Sequence, residues 1–361
     1  MNDKNRYGVL VILSPGFPGS EADSTCIPPQ QVFVSQLKKE YPALPILVIA
    51  FQYPFAATEY SWNDVRVVSL GGRNRGKLYR VFIWYKAWRL LKKVRREQGV
   101  KGLFSFWCGE CALVGKWFGR KYAIKHHCWI LGQDAKKENN YIKWIRPIGG
   151  ELVALSDFIA GEFFRNHGIL PARIIPVGVD PMLYDQGPVE KDIDVLGAGA
   201  LIPLKNYELF LHAIYFCRKR LPGIKAIICG KGPEEKRLRE LIALLKLEEN
   251  VCLAGERDHA GVLRLMQRSR IFLHPSTYEG FGAVCVEALY AGARVISFVK
   301  PMDEDIPGWQ IVGSSREMVH EILEALQDPE REWRPYLAYS IRDSARAVMK
   351  LFDDGDGLVV G

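Results

Sequence analysis

Short apolar runs that alternate with stretches of helical periodicity constrain this chain more than any other feature. A buried run too short for a helix must pair as a strand, and the helical stretches between must then cover it. Such runs fall at residues 9–13, 46–50, 65–70, 103–106, 128–131 and 152–155, and the pattern restarts at 195–197, 226–229, 251–253, 271–274 and 295–298. The fold expected is therefore α/β, with two Rossmann-like, doubly wound domains in series, which suits 361 residues at roughly 150 per domain. Residues 178–192, rich in Pro, Gly and Asp, read as a linker. The domains are drawn as 1–187 and 188–335. Residues 336–361 follow as a helix striped with Leu337, Ile341, Ala345, Val348 and Phe352, ending in a frayed tail.

No stretch reaches the ~18 apolar residues of a membrane span, and the run at 9–13 is too short for a signal peptide. The eight cysteines lie mostly in apolar surroundings, which fits reduced core thiols and a cytoplasmic protein. Charge is divided unevenly: residues 1–187 carry 26 basic and 15 acidic side chains, residues 188–361 carry 23 and 26. The front half expects an anionic partner.

The most informative run is HPSTYEGFGAVCVEALYAGARVIS, residues 274–297. A strand ends near Pro275-Ser276, a loop carries Glu279-Gly280-Phe281-Gly282, and a helix of small and apolar residues contains Glu287. In open α/β sheets ligands sit beyond the carboxyl ends of strands, so this loop faces a crevice. The following helix would point its N–H groups and positive dipole end there, suited to a phosphate. Gly280 and Gly282 would admit close backbone approach. An unpaired carboxylate inside an apolar helix is costly, which marks Glu287 as more than a surface residue.

This spacing, with Pro275-Ser276 before it and Ala288 and Gly292 after, resembles the signature of the retaining family 4 glycosyltransferases. Weaker echoes lie at GALIPLKN (199–206), CGKGP (229–233), PVGVD (176–180) and ALSDFIA (154–160). The resemblance implies the GT-B fold: two Rossmann-like domains facing across a cleft, the second holding the donor, the first the acceptor, and the last helix returning to the first domain. It implies a nucleotide-diphosphate sugar as co-substrate, with neither cofactor nor metal. Glu287 would accept from the donor ribose hydroxyls, and Glu279 would contact the transferred sugar with the backbone of Gly280, Phe281 and Gly282. Lys205 would neutralise the leaving diphosphate, as a lysine and a helix N-terminus can do without metal. Gly16, at the loop after the first strand, would help bind the donor, while Gly19 of that loop and Asp134 would line the acceptor side of the cleft.

Two positions depart from the family pattern. Ala200 stands where an arginine often follows the glycine, with Lys231 a candidate replacement. The His-Gly-x-Asp segment reads Leu131-Gly132-Gln133-Asp134, and His126 and His127 upstream are not assigned as a base.

Other motifs carry less. GGRNRGK (71–77) matches seven positions of a phosphate-binding loop, but Leu78 replaces the Ser or Thr that would hold magnesium. WCGEC (107–111) resembles a thioredoxin motif and keeps open thiol–disulfide chemistry through Cys108 and Cys111, against core or helix-start cysteines. Asp192-Ile-Asp194 and Asp303-Glu304-Asp305 read as solvated charge rather than metal ligands.

From Lys77 to Arg96 there are eight basic and no acidic residues. Lys86, Arg89, Lys93 and Arg96 share a helical face beside Val81, Trp84, Tyr85, Trp88 and Leu91, which suits an anionic membrane surface. Half of the eight reaching lipid would contribute roughly 4 kcal/mol. The chain thus reads as a cytoplasmic glycosyltransferase, peripheral on the inner face of the membrane. It would move a sugar to a hydroxyl of a surface-glycan or lipid-linked acceptor, and no nucleic acid is expected. The alternatives are a redox protein and a catalytically weak sugar-nucleotide-binding protein.

Overall fold

The computed structural model describes residues 8–328 and 333–353. The chain forms two compact units, one of Met1–Val177 with Ile341–Gly361 and one of Gly178–Ser340. The tail expected after Asp353 lies outside the described residues.

The first unit runs β1 (Val9–Gly16), α1 (Pro28–Glu40), β2 (Ile46–Tyr53), β3 (Thr58–Trp62), β4 (Val65–Ser69), α2 (Lys77–Gln98), β5 (Val100–Phe106), α3 (Glu110–Tyr122), β6 (His126–Ile130), α4 (Ile142–Ile145), β7 (Leu152–Ala154), α5 (Asp157–His167) and β8 (Arg173–Ile174). Its sheet has the order β3-β4-β2-β1-β5-β6-β7-β8 and is parallel except where β3 meets β4. The central strands β1 and β2 are largely apolar and buried because both of their faces are covered. Val9, Val11 and Leu13 of β1 join a core with Ile83, Ala87 and Leu91 of α2 and Phe118 of α3. On another side Phe33 of α1 meets Phe104 and Trp129, with ring centroids 6.0 and 4.8 Å away.

The second unit runs β9 (Ile193–Ala198), α6 (Tyr207–Arg218), β10 (Ala226–Cys229), α7 (Glu235–Leu244), β11 (Val251–Gly255), α8 (His259–Gln267), β12 (Ser269–His274), α9 (Ala283–Tyr290), β13 (Arg294–Ser297), β14 (Trp309–Ile311) and α10 (Ser315–Gln327). Its parallel sheet has the order β11-β10-β9-β12-β13-β14. The chain steps outward from β9 to β11, then resumes at β12 on the other side of β9. Carboxyl ends of β9 and β12 therefore diverge into a crevice, and the same reversal occurs between β1 and β5.

After the second unit, α11 (Ile341–Lys350) packs on α1 of the first. The Ser344 hydroxyl donates to Pro176 O at 2.7 Å, and Arg342 reaches Glu40 at 3.0 Å. Phe352 lies against Phe104 and His127 at 6.4 and 5.3 Å, and a Cβ on Gly102 would stand 2.2 Å from its ring. The two Rossmann-like domains and the returning helix match the expected architecture.

Three strands, β3, β8 and β14, lie outside the apolar runs of the sequence. β3 and β4 form a hairpin closed by Asn63 and Asp64, both with positive φ (44° and 59°), as a two-residue turn matched to strand twist requires. The helix expected from 336 begins at Ile341. Before it, Tyr336 N–H donates to Leu289 O at 3.0 Å, so that stretch is held by the second unit.

Replacing Phe352 by Ala removes a side chain that is 3% exposed. The expected loss is about 3 to 5 kcal/mol in the unfolding of the first unit, read from urea denaturation.

Candidate functional site

Lys205 and Glu279 are delivered by the two strands flanking the crevice of the second sheet. After β9, a loop and one 3-10 turn, Pro203–Lys205, carry the lysine; after β12, residues 275–282 carry the glutamate. Lys205 Nζ lies 2.5 Å from Glu279 Oε2, and His274 Nε2 lies 3.0 Å from the same oxygen. A carboxylate only accepts, so His274 carries its proton on Nε2. Burial works to raise the Glu279 carboxyl, but the hydrogen bond from His274 and the charge of Lys205 outweigh it and hold it down at about 2. His274 is 3% exposed, and burial, with Lys205 nearby, lowers its own pKa, so the ring is neutral.

Lys205 is seated by two interlocked loops. Leu201 N–H donates to Lys231 O at 3.0 Å, and Glu234 N–H donates to Leu201 O at 3.1 Å. A Cβ on Gly230 would stand 1.8 Å from Gly199 O, so GALIPLKN and CGKGP meet backbone to backbone and only glycine fits there. The Lys231 side chain is exposed.

Gly282, with φ of 76°, turns the loop into α9. Glu287 lies on that helix, its Oε1 2.8 Å from Nε2 of His259 at the start of α8, both side chains about 15% exposed. Burial opposes charging of His259, yet the Glu287 hydrogen bond and charge raise its pKa above the ordinary value. Phe281 is 2% exposed and stacks edge-on with Tyr339 at 5.6 Å, so its side chain belongs to the core. Ser276 Oγ is buried with no hydrogen-bond partner among the described residues. Sequence reasoning missed both histidines. His274 had a signal, a polar residue closing a buried strand; His259 had none, since its partner lies 28 residues away.

In the first unit, Gly16 ends β1 and Gly19 N–H reaches Asp23 at 3.4 Å. Asp134 is buried and accepts from the N–H of Cys108, Gly132 and Leu131 at 2.7, 2.8 and 3.1 Å, so its carboxylate ties the turn after β6 to the one after β5. Cys108 and Cys111 are 0% and 1% exposed, and burial pushes the Cys111 thiol well up, away from the thiolate a redox protein needs. The 71–77 loop spends amides on the protein itself: Gly72 N–H donates to Phe51 O and Asn74 N–H to Gln52 Oε1, both at 2.9 Å. His126 bonds Ser105 Oγ through Nε2 at 2.9 Å, and burial takes it down to about 3. Asp192 and Asp194 pair with Arg268 and Arg270 at 2.8 and 2.6 Å.

On α2 the buried face is Ile83, Ala87, Leu91 and Val94. Trp84 and Trp88 are half-buried, the first donating to Glu110 at 2.9 Å. Arg89, Lys93 and Arg96 are exposed, whereas Lys86 is half-buried, 5.0 Å from the Phe82 ring. Val81 and Tyr85, read as part of the apolar stripe beside the basic face, are 54% and 57% exposed, and Leu78 and Phe82 join them at 90% and 47%. Among the described residues no helix is long and apolar enough to cross a membrane.

Residues 184–334 match the family model described as glycosyl transferases group 1. The GtfA subunit of the UDP-N-acetylglucosamine–peptide N-acetylglucosaminyltransferase of Streptococcus pneumoniae is 30% identical over 42% of this chain and 31% of its own length. The gpi3 subunit of the Schizosaccharomyces pombe phosphatidylinositol N-acetylglucosaminyltransferase is 26% identical over 54% of this chain and 44% of its own. The chain thus spans less than half the length of these curated relatives. In fold it is similar to Anabaena Alr3699/HepE, solved in complex with UDP and glucose, with a TM-score of 0.65, 18% identity and 96% of each chain covered.

Glu279 has a folded pKa below its unfolded value near 4.5, so its contribution is complete above that value and fades as pH falls toward about 2. Native protein should lose on the order of 2 to 3 kcal/mol of stability across that window, and Glu279→Gln should lack that component in acid titrations followed by circular dichroism. Thiol reagents should modify the exposed Cys252 in native protein while Cys108 and Cys111 stay protected until unfolding.

Proposed function

We propose that this chain is a retaining glycosyltransferase that moves a sugar from a nucleotide-diphosphate donor to a hydroxyl of a glycan or lipid-linked acceptor. The observation that carries the reading is the meeting of Lys205, Glu279 and His274 beside the start of α9, at the reversal point of the second sheet. The family match over the same residues supports it, and the UDP in the Anabaena structure makes a uridine donor the first to try.

In this reading the donor diphosphate lies over the first turn of α9, whose N–H groups and dipole favour negative charge. Lys205 turns from Glu279 to the phosphates and offsets the charge that builds as the nucleoside diphosphate departs. Glu279, ionised and oriented by His274, accepts from hydroxyls of the transferred sugar. Glu287 has one oxygen taken by His259, which fixes the carboxylate so that the other can accept from the ribose. His259 therefore acts as a positioning residue. The first unit is read as the acceptor-binding domain, with Gly19 in the loop that follows β1. Its basic helix holds the chain reversibly on an anionic membrane: five cations of α2, Arg89, Lys92, Lys93, Arg95 and Arg96, line a groove of about 580 Å³ with Leu90 and Tyr122.

A nucleotide-sugar panel tests the reading. Lys205→Ala should lower turnover by roughly tenfold to a hundredfold, the scale of one charge-assisted hydrogen bond made in the transition state. Glu287→Ala should raise the donor KM, with His259→Ala following it in part. Donor affinity and turnover unchanged in Glu279→Ala and Glu287→Ala would overturn the assignment.

A further inference from the structure

A second cavity belongs wholly to the first unit. A groove of about 1100 Å³ runs along α3, with α2 and α4 at its sides and the amino end of β6 at its floor. Gly16 and Cys108 lie at the opposite, carboxyl end of the strands, so the groove stands apart from the carboxyl-end crevice of this domain.

Five cations line it, Lys116, Arg120, Lys125, Lys143 and Arg146, against one carboxylate, Glu151. Glu151 is already paired with Lys116, and Lys125 donates to Asp353 O at 2.8 Å. Arg120, Lys143 and Arg146 are exposed and make no ion pair among the described residues. Like charges gathered on one concave surface repel one another, a cost that an anion bound among them removes. Two of the three are arginines, whose planar forks take a phosphate by paired hydrogen bonds.

The rim is apolar. Trp117 and Trp144 line the groove at 48% and 59% exposure, and Ile148 follows at 64%. Trp84 connects it to α2, where Leu78, Val81, Phe82 and Tyr85 are also exposed. Indoles above a basic surface suit the headgroup level of a bilayer. The aliphatic Leu78, Val81 and Ile148 offer nothing to a soluble acidic glycan, but they would enter acyl chains.

We propose that this groove is a binding site for the phosphomonoester headgroup of an anionic lipid, with Trp117 and Trp144 seated at the interface. The inference rests on the membrane reading above and deepens it. The cations of α2 supply attraction to any anionic surface, while the groove selects a headgroup of higher charge density. A phosphomonoester carries between one and two negative charges near neutrality, where a diester carries one.

Flotation of the full chain with phosphatidylcholine vesicles separates the two contributions. The vesicles contain either phosphatidylserine or phosphatidic acid, matched in surface charge. Native chain should prefer phosphatidic acid. Arg120→Ala with Arg146→Ala should weaken phosphatidylserine binding by at most about thirtyfold, two cations' worth, weaken phosphatidic acid binding further, and so erase the preference. Lys93→Ala with Arg96→Ala should weaken both and keep the preference. Retained donor-site function and circular dichroism report folding of each variant. Equal binding of both vesicles by native chain, or a groove variant that keeps the preference, would overturn the groove alone. Absence of binding to any vesicle would overturn the membrane reading with it. Tryptophan quenching by a sulfated oligosaccharide, with none by vesicles, would assign the groove to an acidic glycan instead.

Discussion

A carboxylate taken mostly out of water must be matched by groups that favour its charge, and in the second unit that demand falls on Glu279. Lys205 and His274 answer it from both sides, and each depends on a different strand end. The pair is therefore a statement about topology as much as chemistry. Only a sheet whose strand order reverses between β9 and β12 leaves their carboxyl ends open to a shared crevice, with two loops free to approach one another. The same reasoning explains the glycine contacts at 199 and 230. The lysine loop reaches the crevice by lying directly on its neighbour's backbone.

Much of this was legible in the chain of letters. The run at 226–229 coincides with β10, because a strand covered on both faces is apolar at every position and ends where the backbone must turn. Glu279 and Lys205 were likewise marked by glycine-flanked loops after buried runs. What escaped had long-range causes. β3 at the sheet edge is largely exposed and carries Thr, Glu and Ser, so hydropathy gives no strand signal, and only Asn63-Asp64 hints at its turn. β8 has two residues and β14 three, too few for periodicity to register. His259 pairs with Glu287 through folding alone.

The α2 helix teaches a different lesson about period. Its aromatic and aliphatic side chains are too many for one buried stripe, so a hydropathy pattern cannot say which of them face the core. The fold selects Ile83, Ala87, Leu91 and Val94, and leaves Leu78, Val81, Phe82 and Tyr85 in water. Scattered apolar residues on a surface are ordinary, whereas here Leu78, Val81, Phe82 and Tyr85 recur at helical spacing along one exposed side of α2.

The return of α11 to α1 makes the second unit an insertion within the first. During synthesis on the ribosome, the sheet of the first unit is made before the second unit yet lacks the cover that Ile341, Val348 and Phe352 provide until the segment carrying α11 follows. The later domain can close its own core meanwhile. Quality-control proteases would therefore find the first unit still vulnerable after the second has closed, and chains stalled before α11 would fail there first.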